Sequence, residues 1–117
     1  MAKQSFTKAS RLLGSSQYSS VFSQASLRLS AKNLLILVKT SEGPARLGLV
    51  VGKKHVRSAV QRNRIKRLIR ESFRIRKQEF GTIDLVVLAR SGLDTLSNQQ
   101  ITVQVNLLFD ELTKKLN

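Results

Sequence analysis

With 117 residues, 21 Lys+Arg against 7 Asp+Glu and no cysteine, the chain carries a formal charge of +14 and can hold neither a disulfide nor a thiolate-bound metal. Its 41% hydrophobic and 24% charged residues are close to globular averages, which excludes a wholly disordered basic tail. The length suits a single domain over 1–117, with about residues 1–9 mobile, and a surface this basic calls for a polyanion, nucleic acid ahead of an anionic membrane.

The first acid is Glu42, and the Ser-rich, basic stretch before it has the look of a transit peptide. Leu12, Tyr18, Val21 and Phe22 are instead packing or binding material for a folded domain, and no apolar segment long enough for a secretory signal is present. Two helical pieces are expected, over 10–13 and 16–24, separated at Gly14. On the second, Tyr18, Val21 and Phe22 stand at i, i+3 and i+4 and share a face. Residues 27–40 read as a strand or a bent pair of strands. Their apolar run Leu34-Leu35-Ile36-Leu37-Val38 suits the middle of a sheet and is far short of the roughly 20 residues that span a membrane. Glu42-Gly43-Pro44 makes a turn, and 46–51 gives a second strand, so that an antiparallel hairpin is expected.

Ser58 with Gln61 three residues later matches a capping box and opens a helix that should run to about Glu79, with Gly81 beyond it. A strand over 83–89 and a loop follow. A last helix opening at Ser97 or Asn98 aligns Ile101, Val105, Leu108, Phe109 and Leu112. The predicted class is α+β in two layers.

At about 100° per residue, Ile65, Leu68, Ile69, Ser72 and Phe73 of the long helix face the sheet. Asn63, Lys66, Arg67, Arg70, Arg74 and Lys77 cluster on the other side, with Arg62 and Arg64 on the flanks. Solvated helix faces commonly alternate acids with bases; here Glu71 and Glu79 are the only acids, so the helix accepts a self-repulsion that phosphates would relieve. Arg suits phosphate oxygens and Asn a base edge or sugar hydroxyl, and Lys53 and Lys54 extend the same surface.

Gly48-Leu49-Val50-Val51-Gly52-Lys53-Lys54 followed by Ala59-Val60-Gln61-Arg62-Asn63-Arg64-Ile65-Lys66-Arg67-Leu68-Ile69-Arg70-Glu71 closely resembles the bacterial ribonuclease P protein family. Arg11-Leu12, Tyr18-x-x-Val21-Phe22, Arg46-Leu47-Gly48-Leu49 and the Asp84 to Arg90 strand fall in the family's order, so the resemblance covers nearly the whole chain. It implies a two-layer α/β sandwich with a mixed sheet and a left-handed βαβ crossover, a handedness the usual rule would not have given. It also implies a cytoplasmic ribonucleoprotein in which a catalytic RNA subunit, with Mg²⁺, removes the 5′ leader of precursor tRNA, and the protein is accessory. On that resemblance Lys53, Lys54, Arg62, Asn63, Arg64, Lys66, Arg67 and Arg70 contact the RNA subunit. Tyr18 and Phe22 line a cleft for the single-stranded leader. The family often has an aromatic on its central strand, where this chain has aliphatics such as Leu35, Ile36 and Leu37.

No catalytic or metal-binding residue is expected in the protein itself: the seven acids are scattered, and His55 is the only histidine. Neither a membrane nor an obligate protein partner is called for. The alternative is a structural or ribosomal RNA-binding protein with no nuclease partner. A helix-turn-helix regulator is disfavoured because a strand follows Gly81.

Overall fold

The computed structural model describes residues 10–12 and 14–116. In chain order it contains helix α1 (Gly14–Gln24), strands β1 (Leu27–Ser30), β2 (Leu34–Thr40) and β3 (Arg46–Val50), helix α2 (Ala59–Arg76), strand β4 (Ile83–Ala89) and helix α3 (Asn98–Leu116). A 3-10 turn, Lys77–Glu79, prolongs α2, and another, Leu93–Thr95, precedes α3. The strands form one mixed sheet in the order β1-β2-β4-β3, antiparallel except for the β3/β4 pair.

This topology corrects the expected β2/β3 hairpin. The strand over 83–89 is apolar on both faces, with Ile83, Leu85, Val86, Val87 and Ala89 all buried. A strand of that kind is most stable with neighbours on both edges, so β4 enters between β2 and β3 and pairs Leu85 with both Val38 and Leu47. The hairpin that does form is local: 27–40 divides at Ala31, whose N–H donates to Leu34 O (2.8 Å), and β1 folds back on β2. The helical piece expected over 10–13 lies partly outside the described residues. Arg11 instead bridges Leu47 in parallel, and Leu12 N–H donates to Leu47 O (3.0 Å), which covers part of the free edge of β3.

The pleat sorts the side chains into two cores. On one face Leu34, Ile36, Val38, Leu47, Leu85 and Val87 meet α2 through Ile65, Ile69 and Phe73, and α3 through Ile101, Val105, Leu108, Phe109 and Leu112. Phe80, just after α2, stacks near Phe73 (centroids 5.9 Å) and meets Phe109 edge-on (5.0 Å). The opposite face carries Leu37 and Val86, covered by Val21 of α1 and by Leu12. One short helix shields that face, and two long ones shield the other.

Caps set where the long helices begin. At α3 the box is complete: Gln100 N–H donates to Ser97 Oγ (3.1 Å) and Ser97 N–H to Gln100 Oε1 (2.9 Å). At α2 Ser58 Oγ accepts from Gln61 N–H (3.3 Å), while Gln61 Oε1 accepts from Arg64 Nε instead (2.7 Å).

Candidate nucleic-acid interface

The buried face of α2 is the expected one: Ile65, Ile69, Ser72 and Phe73 are buried, and Leu68 is partly buried against the same core. Of the residues predicted for the outer side, Asn63 and Arg67 are exposed and Lys66, Arg70, Arg74 and Lys77 half-exposed, Lys66 and Arg70 bordering the same recess as Leu47 and Leu49 of β3. Lys66 and Arg67 make no ion pair or hydrogen bond to any described residue. The same is true of Lys53 and Lys54, which stand on the turn between β3 and α2, where Gly52 O accepts from His55 N–H (3.2 Å) and Val56 N–H (3.0 Å). Arg67 and Arg70 line, with Asn63, Glu71 and Arg74, a shallow depression of about 320 Å³ along the top of the helix.

The two acids near the helix are already matched. Glu71 pairs with Arg74, whose hydrogen bond holds the carboxyl below its ordinary range and the guanidinium above its own. Glu79 pairs with Arg76 (2.9 Å). Arg76 also reaches Asp110 (2.8 Å), Asn106 and the Phe109 ring on α3, so it joins α2 to α3 and stays out of the ridge. Burial pushes the Arg76 guanidinium down, but the hydrogen bonds to Glu79 and Asp110 outweigh it and the pKa is raised.

Arg62 and Arg64, on the flanks, hold loops. Arg62 Nη1 donates to Val56 O (3.0 Å) and Arg57 O (2.8 Å), closing the turn that leads into α2. Arg64 donates to Asn98 Oδ1 and, through Nη2, to Leu96 O (3.3 Å), tying α2 to the start of α3. Arg64→Ala should therefore lower stability by about 1–2 kcal/mol, since these carbonyls lose their partner. Arg67→Ala should stay within about 0.5 kcal/mol of the parent. Urea unfolding of the two variants checks this, and equal losses would contradict it. His55 is likewise tied down, its Nδ1 lying 2.9 Å from Ser91 Oγ.

On α1, Tyr18 and Phe22 part company. Phe22 is 46% exposed, whereas Tyr18 is half-buried and its hydroxyl accepts from Leu49 N–H (3.1 Å) at the free edge of β3. The ring can lie there because position 48 is glycine: a Cβ would come within 2.6 Å of Tyr18 Cε1 and 2.9 Å of Leu12 Cδ1. Sequence reasoning missed this contact, for which a glycine inside a strand was the signal. It missed as well the pair between Arg46 and Asp84, bidentate at 2.9 and 2.7 Å with Asp84 only 5% exposed. That hydrogen bonding, against the opposing effect of burial, raises the Arg46 pKa. An acid within the apolar strand Ile83–Ala89 was the available clue.

The described residues bring together no group of three or more His, Asp or Glu that could hold a metal ion, and no helix among them is long and apolar enough to cross a membrane. These residues form a cationic ridge beside an aromatic-bearing helix, a surface suited to a phosphate backbone.

Comparison with known proteins agrees with this geometry. The Ribonuclease P family model matches residues 6–113. The ribonuclease P protein component of Saccharophagus degradans is 47% identical over 113 residues, covering 96% of this chain and 81% of that one. That of Chromohalobacter salexigens is 42% identical over 115 residues, covering 97% and 90%. Among solved structures, the Staphylococcus aureus RNase P protein superposes with a TM-score of 0.83 at 26% identity, covering 94% of this chain and 100% of that one. The Thermotoga maritima RNase P protein gives 0.72 at 28%, covering 84% and 94%. By sequence over nearly its full length, and by the fold its residues build, the chain belongs to the ribonuclease P protein family.

Proposed function

We propose that the chain is the protein subunit of a cytoplasmic ribonuclease P ribonucleoprotein, docking on the catalytic RNA and holding the 5′ leader of precursor tRNA while the RNA cuts it. The observation that carries this reading is the ridge: Lys53, Lys54, Lys66 and Arg67 have no partner among the described residues, in a chain of net charge +14. Phosphates supply that partner, and counterion release drives the association. Asn63 and Arg70 extend the contact, and Arg62 and Arg64 reach it with N–H groups left over from their loop bonds. Family membership favours this over a structural RNA-binding protein with no nuclease partner.

Hydrolysis of the phosphodiester falls to the RNA and its Mg²⁺. The acids here do not fit a metal site, four of the seven being engaged in ion pairs with arginine and the described ones being scattered. On α1 the exposed Phe22 ring offers leader bases a stacking surface. A photo-crosslinker at position 22 should label the leader of bound precursor tRNA; labelling confined to the RNA subunit would remove α1 from the leader path.

A further inference from the structure

Lys53 and Lys54 are exposed on the turn between β3 and α2, and from Lys53 to Arg62 the chain carries four cations and no acid. Charge repulsion and chain entropy both favour spreading that turn. Two anchors hold it. On the α2 side Val56 is buried, and Arg62 Nη1 donates to Val56 O and Arg57 O. On the other side His55 Nδ1 lies 2.9 Å from Ser91 Oγ, a hydroxyl that can donate or accept and so serves either tautomer. Ser91 is in turn placed by a buried residue, Asn33, whose Nδ2 donates to Ser91 O (2.8 Å). Every other polar group of Asn33 is engaged: its N–H donates to Gln104 Oε1 (2.9 Å), its O accepts from Arg90 N–H (2.8 Å), and its Oδ1 accepts from Gln104 Nε2 (3.3 Å). Gly92 fits the same node, since a Cβ there would come within 3.0 Å of Asn33 Nδ2 and its φ of +91° suits glycine. A continuous path of hydrogen bonds thus runs from Gln104 on α3 through Asn33 and Ser91 to His55, the residue after Lys54.

We propose that Ser91 is a positioning residue: through His55 it holds the Lys53–Lys54 turn where both ammonium groups meet phosphates, so that the turn is ordered before RNA arrives. This role rests on the RNA-binding reading above, and it enlists a part of the molecule outside the ridge, the loop after β4 and the Asn33 node. Ser91 is exposed, so its bond to His55 adds little to global stability. Its effect is on where the lysines stand. Without it, the turn must be ordered against its own charges as RNA binds, and that ordering is subtracted from affinity. The number of phosphates neutralised does not change.

The test measures binding of the full chain to the RNA subunit over a range of salt. Ser91→Ala removes one hydroxyl and should weaken binding roughly tenfold, the cost of ordering about one more residue, with the slope of log K against log salt unchanged. Changing both lysines, Lys53→Gln with Lys54→Gln, should instead lower that slope by about two. In the lysine-free background Ser91→Ala should have little further effect, because it acts through the two lysines. Ser91→Thr, which keeps a hydroxyl, should bind like the parent. Amide exchange at His55 and Val56, whose N–H groups donate to Gly52 O, should quicken in Ser91→Ala while the urea midpoint holds. Parental affinity in Ser91→Ala would overturn this role. So would a loss fully additive with the lysine changes, which would make Ser91 a direct contact, or a loss that follows a fallen urea midpoint. If Ser91→Ala bound like the parent while the lysine variant lost affinity and slope, the RNA-binding reading would survive; if the lysine variant also matched the parent, that reading of the turn would fail.

Discussion

Affinity for the RNA subunit is expected to fall about 10³-fold as monovalent salt rises from about 50 to about 200 mM. The magnitude follows from counterion release: roughly six neutralised phosphates give a slope near −5 in log K against log salt, acting over a fourfold change in concentration. The structure supplies a matching set of groups. Lys53, Lys54, Lys66 and Arg67 have no partner among the described residues, Arg70 lies along the same helix, and Arg62 keeps N–H groups beyond its loop bonds, which makes six cations, while Arg74 and Arg76 are paired with acids. The paired arginines should contribute less to the slope than Arg67. A nearly flat salt response, measured by filter binding across that range, would remove electrostatics as the basis of assembly.

Gly48→Ala should cost stability and loosen α1, although alanine in a strand is ordinarily an improvement on glycine. The intrinsic gain is below about 1 kcal/mol. Against it stands the new Cβ, 2.6 Å from Tyr18 Cε1 and 2.9 Å from Leu12 Cδ1, which no relaxed contact allows. Tyr18 and Leu12 must both move, Leu49 N–H loses its acceptor, and the covering of the β3 edge opens. Overpacking of this kind costs about 1–3 kcal/mol, so the clash outweighs the propensity. The urea midpoint should drop, and binding of leader-bearing precursor should weaken with it. Gly43→Ala, where a Cβ would meet nothing within 4 Å, is the control. Equal stability of the two variants would show that Tyr18 is not held against β3.

The elements legible in the sequence were those whose signal is local. The apolar stripes of α2 and α3 follow from spacing alone, and every residue assigned to the α3 stripe is buried. Strand neighbours were not legible. An apolar run such as Leu34–Val38 announces burial on both faces but not which strand lies beside it, so β4 could enter the place expected of β3. The ridge followed the same logic: helical angle separates Lys66 and Arg67 from Ile65 and Ile69 without any tertiary knowledge. It could not show that Arg64 turns to Leu96 and Asn98, or that Tyr18 reaches Leu49, because those partners are about thirty residues away in sequence. The identity of the polyanion was carried by the motif around the helix, since charge alone would suit many phosphates.

The decisive measurement mixes this chain with its RNA subunit and follows cleavage of precursor tRNA at low Mg²⁺, with and without the protein. Strong stimulation by the protein, dependent on the leader and diminished at high salt, is the expected result. Cleavage by the RNA that is indifferent to the protein under these conditions would contradict it.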